Sequence, residues 1–250
     1  INEVNLDYTV LNTEGSMGES PDEEGDAVPS KKMDVLLVAG KSDVIEEYVK
    51  LVQAANLNLG VVDIDVFAIQ NAAEISLDNP EGSYAIISVG ASELGINTIH
   101  RGLSVFSRDS SYGGAQITKE IMSEFDVPFE EAESMKLGGI ELDDNTISQI
   151  EKIVARTVLK WISEIKHALD FVANTYPDET IEKIFISGGS CETPGFQRNL
   201  EQETEIPVTA LNPFKYLVAN SKLFDSDYLQ YIGPQAGVAV GLAMRSVGDK

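Results

Sequence analysis

Residues 84–121 read YAIISVGASELGINTIHRGLSVFSRDSSYGGAQITKEI and form the most informative part of the chain. An apolar strand ends in the small-residue turn Gly90-Ala91-Ser92, a hairpin follows, and the pair Gly113-Gly114 leads into a helix. Small residues at the end of a strand let the backbone approach a ligand that a bulky side chain would exclude. The stretch therefore predicts a ligand held by backbone groups.

A second turn of the same kind occurs much later in the chain. The apolar run Ile184–Ser187 is followed by Gly188-Gly189-Ser190, and another helix begins after Pro194-Gly195. Two strands that end in this way are typical of a cleft that grips a phosphate. A nucleotide is therefore the first ligand to consider, and we expect the two turns to form opposing walls of one pocket for it.

The remaining segments alternate between strand and helix patterns, which predicts the α/β class. The longest predicted helix is 145–173, with apolar residues at helical spacing. We also predict a helix capped by Ser42 or Asp43, a short strand at 61–64, a helix at 117–125 and a helix at 234–246. Residues 14–30 are rich in glycine, serine, proline and acid, which predicts a loop or disordered insertion.

Charge and composition exclude several classes of function. The chain has 250 residues and a formal net charge of −23, which argues against nucleic acid and against direct adsorption to anionic lipid. Its single cysteine, Cys191, excludes an intrachain disulfide and fits a reducing compartment. No apolar run approaches the roughly 18 residues of a bilayer span, so we predict a cytoplasmic protein without direct membrane insertion.

Several segments resemble the PilM family of type IV pilus assembly proteins, within the actin/Hsp70/FtsA superfamily. The matching segments are VNLDYTVLN (4–12), MDVLLVAGKSDVIEEYVKLVQAANLNLGVVDIDVFAIQNAAE (33–74), GLSVFSRDSSYGGAQITKEI (102–121), FEEAESMKLG (129–138), IFISGGSCETPGF (184–196), LNPF (211–214) and GVAVGLAMR (237–245). Each is weak evidence alone, but together they cover nearly all of the chain.

The resemblance implies an actin-like ATPase (ribonuclease H-like) fold with FtsA-type subdomains. Residues 1–62 would form subdomain 1C, 63–81 the returning helix of 1A, 82–125 with 182–250 subdomain 2A, and 126–181 subdomain 2B. In this family the first phosphate hairpin precedes 1C, and residues 1–250 contain no counterpart. We therefore expect the chain, which begins at Ile1, to lack the N-terminal part of lobe 1.

The resemblance also implies a role for each candidate site residue. Gly90, Ala91 and Ser92 resemble the second phosphate loop, and Gly188, Gly189 and Ser190 resemble the adenosine loop. Glu133 and Lys136 resemble the pair that contacts the ribose, the alternative being a surface salt bridge. Gly113 and Gly114 either approach the nucleotide or only form the turn into the next helix.

The implied ligand is ATP or ADP with Mg²⁺. The superfamily has an aspartate at the end of the first strand, where this chain has Ser88, and a hydroxyl does not supply the charge that holds a divalent ion. This departure and the missing N-terminal loop weaken the expectation of Mg²⁺. We predict nucleotide binding with weak or no hydrolysis, and no catalytic or structural metal residues.

By resemblance, the chain is an adaptor of the pilus assembly platform at the inner membrane, peripherally associated through its partners. It would bind the N-terminal cytoplasmic tail of a PilN-like bitopic protein, and other platform proteins, in a groove that involves subdomains 1A and 1C. Strand 35–38 and helix 44–52 are our candidates for part of that groove. The alternatives are an active ATPase or sugar-kinase-like enzyme of the same fold and an FtsA-like cell-division protein.

Overall fold

The structure is a computed structural model that describes residues 3–12, 34–77, 82–177, 180–220 and 222–248. The chain forms two compact units, one of residues 1–62 with 245–250 and one of residues 63–244. The predicted acidic loop at 14–30 lies outside the described residues.

The first unit is a hairpin with one helix. Strand β1 (Val4–Asn12) pairs antiparallel with β2 (Asp34–Lys41), and α1 (Ser42–Ala54) follows directly. Leu36 and Val38 are half-buried, and a Cβ on Gly40 would lie 2.8 Å from Cδ1 of Ile45 on the helix. Because side chains alternate along a strand, α1 covers the face of β2 that carries these residues and leaves the other face open.

The second unit is built on a five-stranded mixed sheet of order β5-β4-β3-β6-β7. Its strands are β3 (Ser83–Val89), β4 (Leu94–His100), β5 (Leu103–Ser110), β6 (Lys183–Ser187) and β7 (Val208–Ala210). The first three form an antiparallel meander, and β3, β6 and β7 run parallel to one another.

Helices cover both faces of this sheet. They are α2 (Asp65–Glu74), α3 (Gly114–Phe125), α4 (Phe129–Leu137), α5 (Asp144–Thr175), α6 (Phe196–Thr204), α7 (Ser226–Ile232) and α8 (Gly237–Ala243). Alternate residues of β3 enter two different cores: Ile87 packs with residues of α3 to α6, whereas Ile86 packs with Ile69 of α2. The result is a layer of helices on each side of a sheet, as the α/β prediction requires.

Trp161 on α5 anchors the larger core. It is fully buried, its ring meets that of Phe196 edge-on at 5.8 Å, and its Nε1 donates to Oε1 of Gln116 at 3.1 Å. The helix begins after Asp143, whose side chain accepts hydrogen bonds from the N–H groups of Asn145 and Thr146. The helix predicted at 145–173 is thus confirmed, slightly longer at both ends.

Three predictions of local structure are wrong. Lys41, not Ser42 or Asp43, is the N-cap of α1, and no side chain caps that helix. Residues 61–64 form no strand. The helix predicted at 234–246 is a 3-10 turn at Gly233–Gln235 followed by the shorter α8, and Pro234, which has no N–H group to donate, lies in that turn. The helix predicted at 117–125 is confirmed and begins three residues earlier, at Gly114. Helix α7 was not predicted.

Over the described residues, none of the helices combines the length and the apolarity that crossing a bilayer requires.

Candidate functional site

The two predicted glycine turns lie side by side. Strands β3 and β6 are adjacent and parallel, with Ser88 opposite Ser187, so both turns leave the same edge of the sheet. The N–H of Ser190 donates to the carbonyl oxygen of Val89 at 2.9 Å. The carboxyl ends of parallel strands are where open α/β sheets bind ligands.

Gly188 is required by this close approach. It has φ +87°, and a Cβ there would lie 2.7 Å from the backbone carbon of Val89 and 2.9 Å from its nitrogen. Gly189 differs, because a Cβ at that position would meet nothing nearer than 3.9 Å, the side chain of Gln235. The second turn therefore combines one glycine that the fold needs with one that leaves space open.

Gly113 and Gly114 join the start of α3 to the first turn. The N–H of Gly114 donates to the carbonyl oxygen of Gly90 at 3.0 Å, and that of Ala115 to Ala91 at 2.8 Å. A Cβ on Gly113 would lie 2.5 Å from the carbonyl oxygen of Ala91. These contacts explain why the helix begins at Gly114, since the turn satisfies the N–H groups of its first residues.

The first turn is exposed at Ala91 and Ser92. Among the described residues, no backbone hydrogen bond uses the N–H of either residue. Successive exposed backbone N–H groups with a hydroxyl beside them are suited to a phosphate. The N–H groups at the start of α3 are not available in the same way, because the turn occupies them.

Glu133 and Lys136 form a half-buried ion pair on α4. Nζ of Lys136 lies 2.7 Å from each carboxylate oxygen of Glu133, and the side chains are 16% exposed for the lysine and 32% for the glutamate. Both contact Thr118 of α3, whose hydroxyl donates to Oε2 of Glu133 at 2.6 Å and accepts from Lys136 at 3.0 Å. The pair is thus more than an exposed surface salt bridge.

This cluster fixes the ionisation of the carboxylate. Partial burial works to raise the pKa of Glu133, but the hydrogen bonds from Lys136 and Thr118 and the ammonium charge outweigh it, so the pKa lies below its usual range. The carboxylate is charged at neutral pH and can accept hydrogen bonds from a ligand.

The cluster is close to the second turn through Gly114. A Cβ on that glycine would strike the Ser190 hydroxyl and would lie 3.8 Å from Nζ of Lys136. The structure therefore brings together all of the predicted site residues: Gly90, Ala91, Ser92, Gly113, Gly114, Glu133, Lys136, Gly188, Gly189 and Ser190. Their role in binding stays a prediction.

Sequence reasoning missed two residues of this region, Thr118 and Asp109. A Cβ on Gly95, which pairs with Ser88, would lie 3.1 Å from Oδ1 of Asp109 and 4.0 Å from Cβ of Ser88. An acidic residue two strands away from Ser88 gives no sequence signal before the register is known. Thr118 likewise gives no signal by itself, because its role depends on Glu133 and Lys136 of another helix.

Two other kinds of side-chain chemistry to consider at this edge are metal ligation and a reactive thiol. Among the described residues, no three acidic, histidine or cysteine side chains cluster as metal ligands would. Burial, reinforced by the negative charge of Glu192, raises the pKa of the Cys191 thiol to about 12, which keeps it protonated.

Two neighbouring clefts, of about 690 and 460 Å³, lie next to the second turn. Both are lined by Glu192 and Ala210, and the larger one also by Arg198 of α6. Neither cleft is lined by any of the predicted site residues. The clefts therefore lie beside the candidate site and do not coincide with it. The candidate site lies where the two distant turns and the charged pair come together.

A second candidate surface is the open face of the β1–β2 hairpin. Lys41 lies at one end of it, beside Val4, and the rest consists of apolar side chains from both strands: Val4, Leu6, Tyr8, Val10, Val35, Leu37 and Ala39. Leu37 is 63% exposed and Tyr8, its cross-strand partner, 62%. We call these residues the open hairpin face. Exposed apolar patches of this kind mark interaction sites.

Only alternate residues of the groove segment predicted at 35–38 lie on the open hairpin face. Val35 and Leu37 belong to the open hairpin face, whereas Leu36 and Val38 face α1. The predicted helix segment at 44–52 divides in the same way. Val44, Tyr48 and Leu51 are exposed, whereas Ile45, Val49 and Val52 are half-buried.

Comparison with known proteins identifies the family. The family profile described as "Type IV pilus assembly protein PilM" matches residues 1–247. Among solved structures, the chain is similar to a "PilM-PilN type IV pilus biogenesis complex", with a TM-score of 0.79, 21% identity, and coverage of 98% of this chain and 67% of that one.

Other similar proteins cover less of this chain. The ethanolamine utilization protein EutJ from Carboxydothermus hydrogenoformans gives a TM-score of 0.56 at 21% identity, covering 80% of this chain and 60% of that one. MreB5 of Spiroplasma citri, bound to AMPPNP, gives 0.53 at 15% identity, with coverages of 82% and 65%. EutJ of Salmonella typhimurium is 26% identical over 152 residues, which are 59% of this chain and 48% of the relative, so the chain spans about half the length of that curated relative.

The structural similarities confirm the predicted α/β, actin-like ATPase fold. The family profile covers almost the whole chain and agrees with the resemblance drawn from its motifs. This chain belongs to the PilM family of type IV pilus assembly proteins.

Proposed function

We propose that this protein is an ATP- or ADP-binding adaptor of the type IV pilus assembly platform, which binds the cytoplasmic tail of a PilN-like membrane protein. The observation that carries the proposal is the convergence of the two glycine turns on the Glu133–Lys136 pair. The solved MreB5 relative with AMPPNP supports a nucleotide as the ligand of this fold.

Each part of the site suits one part of the nucleotide. The N–H groups of Ala91 and Ser92 and the Ser92 hydroxyl would hold phosphate oxygens. Glu133 and Lys136 would bind the ribose hydroxyls, since a hydroxyl can donate to a carboxylate and accept from an ammonium group. The purine would lie against the backbone at Gly189, where the structure leaves space.

Mg²⁺ would enter this site with the phosphates. Ser88 offers a hydroxyl where the superfamily has a carboxylate, so the phosphates and water would supply most of the ligands. For the same reason we propose that the nucleotide acts as a structural or conformational ligand and is hydrolysed weakly or not at all.

The open hairpin face is our candidate for the tail. It is apolar across both strands, it faces away from α1, and a short tail could bury Leu37 and Tyr8 on it. The solved PilM-PilN complex among the similar structures supports PilN as the class of partner.

The proposal is tested with the full-length protein by titrating ATP, ADP and a synthetic tail peptide of the PilN-like protein of the same organism, and by measuring ATP turnover. We expect binding of nucleotide and of tail with negligible turnover. Gly189→Ala should weaken nucleotide binding with little change in the melting temperature, because a Cβ there would meet nothing nearer than the Gln235 side chain at 3.9 Å. A protein that binds neither ligand contradicts the proposal.

An active ATPase is the second candidate, favoured by Asp109. Its carboxylate and the Ser88 side chain lie on the same face of the sheet, on either side of Gly95. The carboxylate could orient water in place of the aspartate that the superfamily has at Ser88. Turnover that Asp109→Asn abolishes would establish this alternative and exclude the non-hydrolysing adaptor.

A further inference from the structure

Thr118 holds the charged pair of the candidate site in one arrangement. It is fully buried, and its hydroxyl is used on both sides, as donor to Glu133 at 2.6 Å and as acceptor from Lys136 at 3.0 Å. The other acceptor within reach, the carbonyl oxygen of Gly114, is 3.4 Å away. The shorter hydrogen bond, from the Thr118 hydroxyl to the Glu133 carboxylate, is therefore the stronger of the two.

The position of Thr118 is itself fixed with respect to the first turn. Thr118 is one helical turn after Gly114, and the N–H groups of Gly114 and Ala115 are bonded to the carbonyl oxygens of Gly90 and Ala91. A threonine side chain also has few rotamers in a helix. Helix α3 thus connects the phosphate turn to the carboxylate and ammonium of α4 through one stiff, buried hydroxyl.

The charged pair needs such a support. Glutamate and lysine side chains have many rotamers, and on an exposed surface an i,i+3 pair is only weakly held. Here both side chains remain partly exposed, at 32% for Glu133 and 16% for Lys136, so a ligand can still reach them.

We propose that Thr118 is a positioning residue for ribose recognition: it orients the Glu133 carboxylate and the Lys136 ammonium so that they bind the 2′- and 3′-hydroxyls of a ribonucleotide. The inference rests on the proposed nucleotide function and adds its sugar specificity. A site built to hydrogen-bond a hydroxyl discriminates strongly against an analogue that lacks it, because the polar groups of the site are then left unpaired.

The test measures dissociation constants of the full-length protein for ATP, 2′-deoxy-ATP and 3′-deoxy-ATP. We expect the wild type to prefer ATP by about tenfold or more over at least one deoxy analogue. Thr118→Val removes the hydroxyl at nearly constant volume. It should weaken ATP binding by about tenfold and bring the ratio of the dissociation constants for the deoxy analogue and for ATP, the sugar ratio, close to one. Thr118→Ser should keep the wild-type ratio.

The chain offers a matched control in Thr157 of α5. That residue is also fully buried, and within the described residues its hydroxyl has no hydrogen-bond partner. Thr157→Val should leave both the ATP affinity and the sugar ratio unchanged. If Thr118→Val is too unstable to assay, Thr118→Ala provides the same comparison with a smaller side chain.

The outcomes separate this inference from the proposed function. A wild type that binds no nucleotide contradicts both. A wild type that binds ATP and a Thr118→Val variant that keeps the full sugar ratio leave the nucleotide function in place and overturn the role of Thr118. Loss of the ratio also in Thr118→Ser would overturn it, since the hydroxyl would then not be the cause.

Discussion

Glycine serves different purposes at different positions of this chain. Gly188 and Gly102 both have positive φ, +87° and +77°. At Gly102 a Cβ would meet nothing within 4 Å, whereas at Gly188 it would strike the backbone of Val89. Gly102 is therefore needed only for the local backbone conformation, whereas Gly188 also allows the ends of two strands to touch.

This difference predicts unequal costs for the same substitution. Gly102→Ala should lower the free energy of unfolding by about 1 kcal/mol, the cost of a left-handed conformation. Gly188→Ala should cost clearly more, about 3 kcal/mol or above, since backbone must also move. Urea unfolding measures both, and equal losses would show that the turns do not pack as described.

Residue types and spacing predicted the glycines of the site but not all of their partners. Gly90, Gly114 and Gly188 stand out because they follow apolar runs or precede a helix. Thr118 and Asp109 do not stand out, because each acquires its meaning from a residue on another element, Glu133 or Gly95. A sequence shows the residue, and only the fold shows its partner.

Helices α2 and α8 pack against each other with their backbones in contact. They pack through small residues, among them Ala68 on α2 and Gly241 on α8. A Cβ on Gly241 would penetrate the backbone of Ala68, with its Cα only 2.9 Å away. Since the contact is with backbone, no side-chain rotation could relieve it.

Substitution of this glycine tests the contact against helix propensity. By propensity, Gly241→Ala would stabilise α8 by about 1 kcal/mol. We expect the opposite, a loss of about 2 kcal/mol or more, because the helices must separate. Ala239→Gly at an exposed position of the same helix is the control and should lose about 1 kcal/mol. A stabilising Gly241→Ala in thermal unfolding would contradict the close packing.

Long elements were easier to predict than short ones. Helix α5 has many turns of periodic apolar residues and an acidic cap, so its signal accumulates. The predicted strand at 61–64 was too short for its apolar residues to decide between strand and loop. The early start of α3 depends on hydrogen bonds to Gly90 and Ala91, which local patterns do not contain.

Net charge belongs to the whole molecule, and it bears on the partner. With a charge of −23, the protein should attract a basic juxtamembrane tail and repel acidic ones. The open hairpin face would supply the apolar contacts and the long-range field would speed the encounter.

Measurements of tail binding can separate the contribution of charge attraction from that of the apolar contacts. We expect the affinity to fall as salt is raised from about 50 to 500 mM, because surface charges are screened. Leu37→Glu should abolish binding, whereas Leu57→Glu, at a leucine of equal 63% exposure outside the open hairpin face, should weaken it little. A flat salt response would contradict the charge argument, and an unaffected Leu37→Glu would exclude this face.

The α/β alternation, the acidic character and the small-residue turns follow from the amino-acid sequence alone, because they depend on composition and on residues close together in the chain. Tertiary structure decided which groups meet: the bonding of the turn at Gly90 to α3, the contact of Gly188 with Val89, and the bridge from Thr118 to Glu133. It also decided that α1 covers one face of the hairpin and leaves the other open. The physical reason is that such contacts join residues far apart in sequence, and their geometry follows from strand register and helix packing.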